Sequence, residues 1–137
     1  MSALTITAAN VAPSTGAVID RTRNAGETIT AGMPVYVDTT TGKYMKADSN
    51  ASAAAATVYG IALHGASNGQ PLSVQTDGDI TMGATLTVNT AYVAGATTAG
   101  DVNPIADLTT GWYGCLLGIA ISTSVLRLAI RNTGVAS

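Results

Sequence analysis

The chain of 137 residues is expected to be all-β, and three observations carry that expectation. Short segments alternate apolar and polar residues with period two, while helical periodicity is scarce. Clusters of Gly, Asn, Asp and Thr separate these segments at short intervals, as in sandwiches and barrels. Finally, one pattern occurs twice: "YGIALHGASNGQPLSVQTDG" and "LGIAISTSVLRLAIRNTG" each run from an apolar Gly-Ile-Ala segment through an alternating strand to a closing Gly.

Residues 1–24 lack a counterpart elsewhere in the chain. They hold one short alternating piece around Leu4 and Ile6, then Pro13, Gly16 and the charged "DRTR". They are expected to form an extended arm that either pairs with a sheet edge or reaches a neighbouring molecule. Residues 25–137 form the β domain. "MPVYVD" and "KYMKAD" are its first strands, joined by "DTTTGK" as a hairpin loop in which Gly42 takes positive φ. The Ala run at 53–56 is too short for a stable helix, so at most one short helix is expected. "PLSVQTD" and "TLTVN" read as further strands, with 77–79 (Asp-Gly-Asp) as a turn after the first of them. In "VLRLAIRN", Leu126, Leu128 and Ile130 face one way and Arg127 and Arg131 the other.

The repetition extends beyond Gly-Ile-Ala. "TITAGMPVYV" and "DITMGATLTV" share Ile-Thr-X-Gly, and the pairs Gly32/Gly83, Gly60/Gly118 and Gly78/Gly134 are offset by 51, 58 and 56 residues. Two repeats are too few for an open solenoid. The expected fold is a compact barrel or sandwich of two pseudo-repeated halves, about 25–78 and 79–134. In it each Gly marks a bend or bulge between sheets.

Composition removes several function classes. Charged residues make up 10% of the chain, against about a quarter in ordinary soluble domains. Long flexible side chains are few, so packing against neighbours loses little side-chain entropy. No basic face is dense enough for nucleic acid. No segment is long and apolar enough for a membrane span, and "MSALTITAAN" lacks a secretory pattern, so synthesis in a cytoplasm is expected. One Cys and one His cannot build an internal disulfide or a Cys/His metal site. The Asp-Gly-Asp segment lacks the further oxygen ligands and the glutamate of a calcium loop.

Catalysis is not expected either. His64 and Ser67 stand close in sequence, but there is no nucleophile elbow and no oxyanion hole to accompany them. "GWYG", with Trp112 and Tyr113, offers an aromatic patch suited to an interface or a sugar platform. "TVYG" reads as its repeat equivalent, which favours a structural aromatic.

"AGETITAGMPVYVDTTTGKYMKAD", the Ala-rich stretch after it, and "VYGIALHGASNGQPLSVQTDGDITMGATLTV" together resemble the capsid cement, or head decoration, proteins of tailed bacteriophages. The resemblance covers about residues 25–133 and includes the second Gly-Ile-Ala. It implies a small structural β protein, neither enzyme nor cofactor-binding. Such a protein sits on the outer surface of the mature virion shell as a homotrimer and clamps the major capsid protein against DNA pressure. It also implies that the arm engages the lattice. Leu4, Ile6, Arg21, Arg23, Trp112 and Tyr113 are then the candidate partner contacts. The arm is expected to add a strand to a coat-protein sheet while Arg21 and Arg23 meet acidic coat residues. Removal of 1–24 should then abolish binding and spare the β-core. The competing class is a carbohydrate-binding or adhesin-like module, with "GWYG" and Tyr44 as its platform.

Overall fold

The computed structural model describes residues 3–48, 55–95, 98–108 and 111–136. Their strands are β1 (Val11–Pro13), β2 (Val18–Asp20), β3 (Pro34–Val37), β4 (Tyr44–Lys46), β5 (Gly60–Ala62), β6 (Val74–Met82), β7 (Ala91–Ala94), β8 (Val102–Pro104), β9 (Tyr113–Ala120) and β10 (Val125–Ala136). Helical geometry is confined, among these residues, to two three-residue 3-10 turns at Ala8–Asn10 and Ile105–Asp107. Ala55 and Ala56 form a turn; Ala53 and Ala54 lie outside the described residues.

The "DTTTGK" hairpin forms as its sequence requires. The Asp38 carboxylate accepts the Thr40 N–H, the Gly42 N–H returns to the Asp38 carbonyl, and Gly42 has φ 72°. Beyond it, the strands follow one antiparallel path, β4-β3-β5-β6-β10-β9-β7-β8. Read from each end toward the middle, the two halves have the same order.

The duplication holds down to single ladder positions. Pro34 faces Ile61 and Val35 faces Gly60; in the second half Ala91 faces Ile119 and Tyr92 faces Gly118. Ile61 faces Gln75 and Ala62 faces Val74, just as Ile119 faces Arg127 and Ala120 faces Leu126. Each Gly-Ile-Ala is thus the strand between hairpin and closing strand. Its Gly is fixed by close approach. A Cβ on Gly60 would lie 2.5 Å from the Gln75 carbonyl oxygen, and one on Gly118 would overlap the Arg127 carbonyl.

Two expected elements differ. Residues 85–89, "TLTVN", alternate but form no strand, and the partner of β3 in the second half is β7. The Leu86 N–H is bound to the Thr123 carbonyl, Thr87 N–H donates to the Tyr92 hydroxyl, and Asn89 turns the chain with φ 66°. The Asp-Gly-Asp segment is not a turn, because β6 runs straight through it. Residues 74–77 of β6 pair with β2 and β5, while 78–82 pair with β1 and β10. Gly78, with φ 86°, stands at the join, and the β1–β2 link passes so close that a Cβ there would overlap the Gly16 carbonyl.

The wholly buried Gln75 holds this join. Its Nε2 donates to the carbonyls of Asp77 at 3.0 Å and Asp79 at 2.8 Å; Asp79 also receives the Ser14 N–H. Gln75→Ala leaves a cavity and strips the Asp77 carbonyl of this donor, which should destabilise the fold by at least about 2 kcal/mol. Urea unfolding measures it, and a midpoint equal to wild type would remove Gln75 from this role.

Two clusters make the core. The larger joins the halves through Val58, Ile61, Ile80, Met82, Leu86, Tyr92, Leu117 and Leu126. The smaller lies within the first half, where Ala25, Ile29, Tyr44, Leu72 and Val74 pack together. Among the described residues no helix is long and apolar enough to cross a membrane.

Candidate functional site

Apart from the turn at Ala8–Asn10 and the link between β1 and β2, residues 3–24 run extended along the domain's own sheets, so of the two expectations for the arm the structure displays pairing with a sheet edge. The Leu4 N–H donates to the Val102 carbonyl and the Thr7 N–H to the Gly83 carbonyl, both at 2.8 Å. Leu4 and Ile6 are half-buried against the larger core, with Ile6 packed over Gly32, where a Cβ would lie 2.7 Å from its methyl group. β1 and β2 then follow β6, and Val11 enters the core.

The charged "DRTR" closes this docking. Asp20 accepts hydrogen bonds from the Thr22 N–H at 2.8 Å, the Thr22 hydroxyl at 2.6 Å and the Tyr59 hydroxyl. Those bonds, Thr22 first and then Tyr59, lower its pKa from 3.8 to about 2. The Arg23 guanidinium lies 5.8 Å from the centre of the Tyr59 ring, a cation–π arrangement within the chain. Arg21 is exposed and forms no ion pair among the described residues.

This knot has a pH signature. A carboxylate whose folded pKa is depressed contributes stability above its unfolded pKa of about 3.9, and that contribution disappears as pH falls through the folded value. Thermal unfolding of the wild type should lose stability between about pH 4 and 2, and Asp20→Asn should flatten part of that slope. Identical slopes would show that Asp20 does not anchor β2. The group is largely exposed, so the effect is small.

Tyr44 is fully buried, its ring 5.9 Å from that of Tyr59, and burial raises its phenol pKa. It therefore cannot serve as a sugar platform: its apolar neighbours in the first half's core cover it. Trp112 and Tyr113 are half-buried at the entrance to β9, Tyr113 facing Ala136 across the ladder. "TVYG" and "GWYG" are not equivalent, because Gly60 matches Gly118, which pairs Tyr59 with Leu117 and leaves Tyr113 without a repeat partner. The arm's arginines adjoin the first half and the Trp-Tyr pair the second.

The groups with chemical potential are engaged in structure. His64 Nε2 accepts the Ser73 N–H at 3.0 Å, so Nδ1 carries the proton and donates to the Gly65 carbonyl at 2.9 Å. Cys115 is buried, bonded to Asn132 Oδ1 at 2.7 Å, and burial raises its thiol to about 11, far from a reactive thiolate. No group of three or more metal-ligating side chains exists among the described residues.

A groove of about 440 Å³, which no sequence pattern announces, lies between the halves and is lined by Val37, Thr39, Thr57, Val58, Tyr59 and Asn132. The Asn132 amide acts there as a peptide group: Oδ1 accepts the Val58 N–H at 2.9 Å and Nδ2 donates to the Val58 carbonyl at 3.2 Å. The partners are 74 residues apart, so no local pattern could announce them. On β9, Ile119 is 48% exposed beside Arg127, whose Nε lies 3.0 Å from Asp79 Oδ1.

No family model matches this chain, and no curated protein is significantly similar to it.

Proposed function

We propose that this chain is a structural virion protein, bound to the outside of a mature tailed-phage shell as a trimer and stabilising the coat lattice. The observation that carries the reading is where the resembling segments fall. The two Gly-Ile-Ala segments and the "AGETITAG" opening build the matched halves of the fold, so the likeness rests on residues that determine architecture. A charge-poor surface with exposed Ile119 and Ile121 suits permanent contact with neighbours. Burial of Tyr44 takes one of the three rings of the aromatic platform away from the carbohydrate-binding alternative.

Docking of the arm changes the expected contacts. Arg23 is committed to Tyr59, so Arg21 is the arm's exposed cation for acidic coat residues. The test is co-sedimentation of the purified protein with expanded shells lacking it, at low and high salt. Saturable binding at a fixed ratio to coat protein is expected, weakening as salt screens the exposed charge. No binding to mature cognate shells would overturn the reading.

A further inference from the structure

We infer that β10 and the groove beside it form an acceptor site for an extended peptide segment of a partner protein, one carrying an apolar anchor residue next to an acidic one. β10 bonds to β9 as far as Ala136 but to β6 only through Leu128. On that second side no strand or bridge among the described residues pairs with 129–136, because residues 74–77 of β6 bond to β2 and β5 instead. An open edge of this length offers backbone donors and acceptors that only another extended chain can match.

The side chains around this edge specify what that chain carries. The groove lies on the face of β10 that presents Asn132, and its walls are Val37, Val58 and the ring of Tyr59, with Thr39 and Thr57 at the exposed rim. Asn132 is already bonded through both amide atoms to Val58, so it offers the groove no free polar group beyond its shape. Such a floor accepts an apolar side chain and does not recognise a sugar by hydrogen bonds. Residues alternate across a strand, so Arg131 lies on the opposite face from Asn132. It is exposed, its guanidinium bonds only to its own Ile130 carbonyl at 3.0 Å, and it meets no carboxylate among the described residues. Successive residues of an added strand would place one side chain in the groove and the next beside Arg131, where a carboxylate completes the charge.

This deepens the capsid reading and rests on it only for the partner's identity: the shell would supply the strand and this protein the edge. The test pans a displayed library of short random peptides on the full-length protein. The peptide recovered is then measured against wild type, Thr39→Trp, which crowds the rim from an exposed loop, and Arg131→Glu. Circular dichroism first verifies that both variants are folded. The expected result is an extended apolar-acidic motif whose affinity falls about tenfold in each variant, the equivalent of one charge pair or one filled anchor pocket. The same three proteins are co-sedimented with mature shells. Enrichment of no motif, or equal binding by all three proteins, overturns the inference, and wild-type sedimentation would still support the capsid role. Loss of peptide binding in both variants without any sedimentation upholds the acceptor site and removes the capsid as its partner.

Discussion

Gly118→Ala should unfold the protein or come close to it. The added methyl group would overlap the Arg127 carbonyl, which belongs to the backbone of the adjacent strand and cannot rotate away. Relief requires β9 and β10 to separate where Ile119 faces Arg127 and Leu126 faces Ala120, around a buried Leu117 and Leu126. Overpacking against side chains already costs about 1–3 kcal/mol, and forcing a ladder apart costs more. A loss of at least about 3 kcal/mol is a large share of the 5–15 kcal/mol typical of a domain. Gly60→Ala, at the matching position of the first half, should cost less. Its backbone obstacle, the Gln75 carbonyl oxygen at 2.5 Å, stands farther off than the Arg127 carbonyl does from Gly118, although a methyl of the buried Val74 also resists. Urea unfolding of both variants checks the ranking, and a stable Gly118→Ala would refute the tight strand approach described for the second half.

Deletion of residues 1–24 should have an effect of similar size, and the β-core should not survive it in native form. The deletion removes both strands along β6, the Val11 side chain from the core, the Leu4 and Ile6 packing and the Asp20 knot. Full burial of an apolar side chain such as Val11 is worth about 1.5–3 kcal/mol, and half-burial of Leu4 and Ile6 about half of that each, so together they contribute about 3–6 kcal/mol before any hydrogen bond is counted. The truncated chain should bind a hydrophobic dye and lose its cooperative melt. A sharp melt within a few degrees of wild type would mean that the segment is only laid on the surface. The expectation of a dispensable arm came from its lack of a repeat partner; the structure places that segment on both halves. Shell-binding tests of the arm therefore need point variants such as Arg21→Ala, which alter an exposed side chain and leave the docking intact.

The fold class, the hairpin at "DTTTGK" and the duplication were legible because each rests on local rules: alternation, a turn with a positive-φ glycine, and glycines where strands crowd together. The strand assignment at "TLTVN" failed because alternation cannot weigh Asn89, whose left-handed backbone breaks the run. Asp77-Gly78-Asp79 was misread for the opposite reason. Its residues have turn chemistry, yet Gly78 uses its freedom to bend a continuing strand under a crossing chain. Matching "TVYG" to "GWYG" followed letters, and ladder register overrules letters. Arg23, a candidate contact, and Tyr44, a candidate platform ring, could not be judged from residue type, since what distinguishes a free cation or an open ring from a packed one is the neighbour on it. The groove escaped detection because Val37, Val58 and Asn132 come from three distant parts of the chain.

The way residues 3–24 are secured has a consequence for how the protein is made. Leu4 bonds to Val102, 98 residues further along, and β1 bonds to a strand that begins only at Val74. This segment thus leaves the ribosome well before the strands that fix it and is among the last to find its place. The hairpin of β3 and β4 can close locally, but it is covered only by residues such as Leu72 and Val74, and the larger core cannot close until β9 and β10 have emerged and β6 has gained its neighbours. Folding should wait for β10 to emerge and then proceed on the millisecond-to-second scale of non-local β topologies. A stalled chain ending near Met82 would display an unsealed half with its N-terminal segment still waiting for Val102.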